Sequence, residues 1–302
     1  MSIRISAVVC TYNRAAYLRK AVRSLVEQTL RRDLYEIIVV DNGSKDETRQ
    51  VVEEFSDVPN LRYLYEPVLG LSRARNTGWS NARGEYVAYL DDDAVAGPSW
   101  LAHILDAFES SSFDPGSVGG NAEPIWEGLR PAWLGDNLLC TLSVFKWSDV
   151  ATVLNENQWL SGCNVAYRKE LLEQLGGFKE SLGRKGKQLL ANEEADMQRR
   201  LRELGFASVY SPDIAVRHHI SGSRLTRKWF RKARYGQGFS EALMLNQDGG
   251  LPVRIRVWLT VKRIAWSLPR LLLMFTENSE AARFRRQCQA IETIGYASGL
   301  WH

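Results

Sequence analysis

The sequence predicts an α/β fold with a mostly parallel central sheet, followed by a basic, helical C-terminal extension. Three observations lead there. Short apolar, β-branched runs alternate with helix-periodic segments along the first 110 residues. The chain has 302 residues and 45% hydrophobic content, enough to bury a full core. From Arg217 onward the charge changes sign: residues 217–302 carry 15 Lys and Arg against 5 Asp and Glu, a net of +10, whereas the preceding residues carry 24 against 30, a net of −6.

Taken in order, Ile3 to Cys10 is apolar and β-branched, as a buried strand should be. Ala15 to Glu27 places Leu18, Val22 and Leu25 at helical spacing. Glu36 to Val40 is a second strand, ending in the turn residues Asp41-Asn42-Gly43-Ser44, and Asp46 is placed to cap a helix through Val51 and Val52 to Phe55. A third strand at Leu61 to Tyr65, a helix from Ser72 to Ala82 and a fourth strand at Tyr86 to Leu90 complete the alternation. Beyond it, Trp100 to Ser110 reads as a helix and Ser117 to Ala122 as a strand. Residues 123–158, with Trp126, Trp133 and Trp147, read as a loop-rich insertion, and helices resume at Lys169 to Gln174 and Glu193 to Leu204.

Such βαβ units gather ligands at the carboxyl ends of their strands. Thr11-Tyr12-Asn13, Asp41 and Asp91-Asp92-Asp93 all stand at such ends, so three segments distant in sequence should converge. Three adjacent carboxylates repel unless cations sit among them. Mg²⁺ and Mn²⁺ are the usual ones, and they often hold substrate phosphates as further ligands. The plain alternative is a solvated loop.

Other classes fit less well. Cys10, Cys140, Cys163 and Cys288 are widely spaced with no CxxC pair, which argues against a zinc site or a disulfide framework and for a reducing, cytoplasmic setting. The N-terminus reads as a strand rather than a secretion signal. The apolar stretch Val257 to Phe275 is broken by Lys262, Arg263 and Arg270, so a membrane span is not expected. No GxGxxG follows the first strand, as a nicotinamide site would need. No zinc-finger, RNP-like or helix-turn-helix pattern points to nucleic acid.

Several motifs together resemble family 2 glycosyltransferases over about residues 3–240. The acidic triplet, between Gly84-Glu85 and Pro98-Ser99-Trp100, looks like that family's DXD region. Val8 to Arg14 and Glu36 to Ser44 resemble its nucleotide-pocket segments, and Gly70 to Gly78 its helix before the DXD strand. Gly162 to Arg168 with Gly176-Gly177-Phe178 is similar to its acceptor-side segment. Asn192 to Leu201 resembles its ED motif, with Glu194 where Asp is more common.

The resemblance implies a single GT-A-type, Rossmann-like domain over residues 1–240, with a nucleotide-sugar half to about 122 and an acceptor half beyond it; residues 241–302 form the extension. It implies an inverting, metal-dependent enzyme of glycan biosynthesis, taking a nucleoside-diphosphate sugar, with UDP-sugars favoured, and a glycan or lipid-linked acceptor. Asp91, Asp93 and His218 would hold Mg²⁺ or Mn²⁺. Thr11, Tyr12, Asn13, Arg14, Asp41, Arg75, Asn76, Asp91 and Asp92 would bind the donor. Gly162, Asn164, Glu193 and Asp196 would face the acceptor, and Glu194 would be the base, with Asp196 its rival. An acceptor hydroxyl must lose its proton as it attacks, and a positioned carboxylate can take it. Without those motifs the Glu193-Glu194 segment would be an ordinary charged helix. A non-catalytic binder of nucleotide sugars is the alternative from another class.

In the basic C-terminal part, Arg224, Arg227, Lys228, Arg231, Lys232 and Arg234 are interleaved with Leu225, Trp229, Phe230 and Tyr235. Such a pattern suits either an anionic membrane surface, with the protein peripheral on its inner face, or a helix packed on the catalytic domain. Pro269 is expected to kink or end a helix.

Overall fold

Both faces of β1 (Ile5–Thr11) are apolar, and both are covered. On one side Ile5, Ala7 and Val9 meet Leu18, Val22 and Leu25 of α1 (Ala15–Val26) and Trp100, Leu101 and Ile104 of α4 (Trp100–Glu109). On the other, Val8 joins Ala74 of α3 (Leu71–Ser80), Leu171 and Leu172 of α5 (Lys169–Leu175), and Met197 and Leu201 of α6 (Glu193–Glu203). A strand buried on both faces needs apolar side chains on each, which Ile5, Ala7 and Val9 supply on one side and Val8 on the other, while the buried Ser6 hydroxyl donates to Glu36 Oε1 at 2.8 Å.

The computed structural model describes residues 2–186, 188–246 and 250–302. Its sheet runs in the order β3 (Leu61–Tyr65), β2 (Tyr35–Asp41), β1, β4 (Tyr86–Leu90), β8 (Asn164–Arg168), β6 (Pro115–Trp126), β9 (Ala207–Ile220), β5 (Ala94–Ala96), with β7 (Thr152–Val153) beside β9. The expected parallel pairing occupies β3-β2-β1-β4. There each strand is followed by a helix that returns the chain to the same end of the sheet: α1, α2 (Thr48–Glu53) and α3. From β4 outward the pairs β4–β8, β6–β8 and β5–β9 are antiparallel. No crossover helix separates β6 from β8.

Asp46 ties the first two helices together. Its Oδ1 accepts the Thr48 N–H (3.1 Å) and hydroxyl (2.5 Å) at the start of α2, and its Oδ2 accepts the Ala15 N–H (2.9 Å) at the start of α1. The cap expected for one helix therefore serves two, and it holds the loop after β2 against the loop after β1.

The chain divides into two compact units. The first comprises Met1–Ile125, Phe145–Glu180 and Glu193–His219, and contains the sheet. The second comprises Trp126–Val144, Ser181–Asn192 and Ile220–His302. In the second, α7 (Arg227–Asn246) packs along α9 (Glu280–Leu300) so closely that a Cβ on Gly238 would meet the Glu292 carbonyl oxygen at 2.0 Å. Trp133 lies edge-on to Phe230 and Phe284, with centroids 5.3 and 4.7 Å away, and so fills this unit's core. Trp147 instead clusters with Phe145 and Trp159 in the first unit. Pro269 falls in the last turn of α8 (Val253–Leu272); the helix continues past it and tightens to a 3₁₀ turn through Phe275.

Asp46→Ala removes both caps, and we expect it to cost about 1–2 kcal/mol. Urea unfolding would report this as a lower midpoint at unchanged slope; an unchanged midpoint would show that water replaces the carboxylate without loss.

Candidate active site

β4 ends at Leu90, and the acidic triplet turns rather than continuing the pleat, so Asp92 does not point away from Asp93 as a continued strand would require. Both carboxylates meet one arginine: Arg14 Nη1 donates to Asp92 Oδ1 at 3.0 Å and to Asp93 Oδ2 at 2.6 Å. The Thr11 hydroxyl donates to Asp92 Oδ2 at 2.9 Å. Burial pushes the Asp92 carboxyl up, to about 6, against the pull of Arg14 and with Asp93 and Asp91 adding to the rise. Asp92, Thr11 and Arg14, expected at the donor, thus hold one another.

The turn leads into β5, which the sequence reading missed because three residues leave no measurable period. β5 pairs with β9 and sets Ala94 opposite His218. His218 Nε2 lies 3.1 Å from Asp93 Oδ1, and the His219 N–H donates to the Asp93 carbonyl at 2.8 Å. The neighbouring ring, His219, packs against Tyr17 instead (5.4 Å), as strand alternation requires. One ligand atom from each of Asp91, Asp93 and His218 lies within 4.8 Å of the others. Two carboxylate oxygens and an imidazole nitrogen suit Mn²⁺ well and Mg²⁺ acceptably.

At the next strand ends, Asn13 adopts a left-handed backbone (φ 53°), which Asn tolerates. Its N–H donates to Ser44 Oγ (2.9 Å) and its Oδ1 accepts the Lys45 N–H (2.7 Å). Asp41 accepts the Ser44 N–H (2.8 Å) and the Tyr63 hydroxyl (2.8 Å). Tyr12 remains 39% exposed on the same turn. Tyr63 was not foreseen: it sits inside an ordinary strand, and only the parallel register of β2 and β3 brings it to Asp41.

Arg75 departs furthest from expectation. Rather than reaching toward a donor phosphate it is 2% exposed. It donates to Glu193 Oε1 (2.7 Å), to the Gly162 carbonyl (3.1 Å) and to Asp91 Oδ1 (3.4 Å). Tyr89 and Phe178 flank the guanidinium, each ring centroid 5.6 Å away. Gly162 is required here, because a Cβ would come within 2.4 Å of the Arg75 Nη2. Glu194 follows on the first turn of α6. Burial and the adjacent Glu193 push its carboxyl up, to about 8, with Arg75 opposing. Gln198, one turn further along and also unforeseen, clasps both backbone groups of Leu160 (2.8 and 2.9 Å). Its i+4 spacing from Glu194 was the available signal.

Three expected site residues are occupied elsewhere. Asn76 grips the Phe178 backbone at both ends of its amide (2.8 Å each) and accepts the Trp79 indole N–H, so it braces α3 rather than facing a donor. Asn164 accepts the Trp100 indole N–H and donates to the Asn121 and Ile214 carbonyls, fully inside the sheet. Asp196 is 0% exposed and takes Arg199 (2.9 Å) and Arg200 (2.8 Å), with Lys179 at 3.6 Å. Two residues past Glu194 it turns to another side of the helix, which removes it as a rival base.

A half-parallel sheet of this order, with an acid-acid-histidine cluster at one edge of its strands, is a GT-A-type α/β architecture. The sequence model of glycosyl transferase family 2 matches residues 6–176, and the chain belongs to that family; it is a glycosyltransferase. It is 26% identical to the glucosyl-dolichyl phosphate glucuronosyltransferase of Haloferax volcanii over 80% of this chain and 77% of that one. It is also 26% identical to the succinoglycan biosynthesis protein ExoM of Rhizobium meliloti, over 99% and 93%. Among solved structures, the mannosyltransferase PcManGT of Pyrobaculum calidifontis, in complex with GDP-Man and Mn²⁺, superposes with a TM-score of 0.67 at 21% identity, covering 100% of this chain and 88% of that one. TarS of S. aureus in complex with UDP gives 0.56 at 17%, covering 99% and 90%.

Arg75→Met leaves the buried Glu193 carboxylate unpaired and should cost about 3–5 kcal/mol. Adding Glu193→Gln should return a substantial part of it, a coupling that a double-mutant cycle in urea would read directly. Additive losses would mean that the pair is not coupled.

Proposed function

We propose that the chain is an inverting, metal-dependent glycosyltransferase that moves a sugar from a nucleoside-diphosphate sugar to a hydroxyl of a glycan or lipid-linked acceptor. UDP-sugars are the first donors to test, and the cytoplasm is the compartment that fits its unpaired thiols. One observation carries the reading: Arg75 touches Asp91 with one nitrogen and Glu193 with the other, so the metal-ligating cluster and the Glu193-Glu194 pair border one site.

Asp91, Asp93 and His218 would hold the cation. When bound there, Mg²⁺ or Mn²⁺ would offset the negative charge that develops on the departing nucleoside diphosphate. The loops carrying Tyr12, Asn13 and Asp41, locked by Asp46 and Ser44, would frame the nucleotide without reorganising. Glu194 would accept the acceptor's proton as its oxygen attacks the anomeric carbon from the side opposite the diphosphate. A single in-line displacement inverts that carbon and needs no carboxylate nucleophile. Arg75 would hold Glu193 in place, and so orient the first turn of α6.

A base must be deprotonated to act, and the Glu194 carboxyl is raised, so turnover should climb about tenfold per pH unit up to about 8 and level above it. Glu194→Gln should lower kcat by about 10²–10⁴ with little change in the donor KM, and should abolish that climb. A glutamine variant as fast as the parent would remove Glu194 from the mechanism. Chelation should stop transfer and Mn²⁺ restore it, whereas His218→Ala should need more Mn²⁺ for half-activation; an undisturbed Mn²⁺ requirement would take His218 out of the ligand set.

A further inference from the structure

Helix α8 carries an apolar stripe on its exposed side. Val253, Val257, Val261, Ile264, Leu268 and Leu272 lie on one stripe spanning about 100° of the helix circumference, and each is 45–64% exposed. The opposite side, where Leu259 packs against Ala242, Tyr296 and Leu300, is the one used within its own unit. Arg263 pairs with Glu241 (2.9 Å), Thr260 accepts the Trp301 indole N–H (3.3 Å), and Ser267 is buried. A surface helix in water normally does the reverse, and an apolar strip of this length marks an interaction site.

The charges on α8 select the partner. Its 20 residues include Arg254, Arg256, Lys262, Arg263 and Arg270 and no acid. Past one margin of the stripe, Lys262 Nζ stands 4.8 Å from the exposed Trp258 ring. Tryptophan beside cations, bordering an apolar strip, is the arrangement that settles at the headgroup level of a bilayer. A second copy of the helix would instead bring like charges together. Among the described residues no helix is long and apolar enough to cross a membrane.

We propose that α8 lies in the surface of an anionic lipid bilayer, with the stripe in the acyl boundary and Arg254 and Lys262 among the lipid phosphates. This goes beyond the proposed chemistry and does not depend on it. The test is sedimentation of the full chain with vesicles of phosphatidylcholine alone or mixed with phosphatidylglycerol. The protein should bind the mixed vesicles, leave them as salt rises, and ignore the neutral ones. Val261→Glu with Leu268→Glu should weaken binding about tenfold or more. Lys262→Gln should weaken it about fivefold, the loss of one basic contact. Because both apolar positions face outward, the circular-dichroism melt of the double variant should match the parent; should it fold poorly, Lys262→Gln alone carries the test. Equal sedimentation of parent and variants, equal binding to neutral vesicles, or a dimer in solution that Val261→Glu splits would each overturn the proposal.

Discussion

Three adjacent carboxylates cannot end one strand without positive charge drawn in around them, and much of the first unit is arranged to supply it. Arg14, at the start of α1, answers Asp92 and Asp93; Arg75, in α3, answers Asp91. Both arginines can arrive only because β1 and β4 are paired in parallel and because α1 and α3 cover opposite faces of the sheet. The protein thus partly neutralises its own acid cluster. Asp91, Asp93 and His218 meet with one ligand atom of each within 4.8 Å of the others, a spacing that suits a divalent cation.

Arg75 also makes the two sides of the site depend on one another. Its guanidinium is shared among Glu193, the Gly162 carbonyl and Asp91 in a pocket walled by Tyr89 and Phe178. A buried charge of this kind is retained only while its partners stay in place. The raised Glu194 carboxyl follows from the same enclosure: burial favours its neutral form, and Glu193 next to it takes the larger share of the arginine.

The parallel half of the fold was legible because Ile5 to Val9, Glu36 to Val40 and Tyr86 to Leu90 are apolar runs separated by helical periods. β5 was not, being three residues long, and neither was most of the 14-residue β9. At the site, residue types and strand ends singled out Asp91, Asp93, His218 and Glu194, and the fold brings ligand atoms of the first three within 4.8 Å of one another. Partners were beyond such reasoning. Nothing local to Asn76 says that its amide is spent on Phe178, 102 residues away, or that Asp196 faces Arg199 and Arg200 while Glu194 two residues earlier does not. Motif spacing reports which residues share a neighbourhood. Which of them is left with unspent hydrogen-bonding capacity is decided by tertiary packing.

The short pairing of β5 with β9 has a consequence for how the protein is made. Asp91 and Asp93 leave the ribosome early, together with the strands that hold them, but His218 follows 125 residues after Asp93 and is positioned only when β9 docks on Ala94–Ala96. Synthesis therefore yields a sheet with its arginine-matched acids well before it yields a complete three-residue cluster. The imidazole and the last strand of the sheet therefore reach the acid cluster in one event.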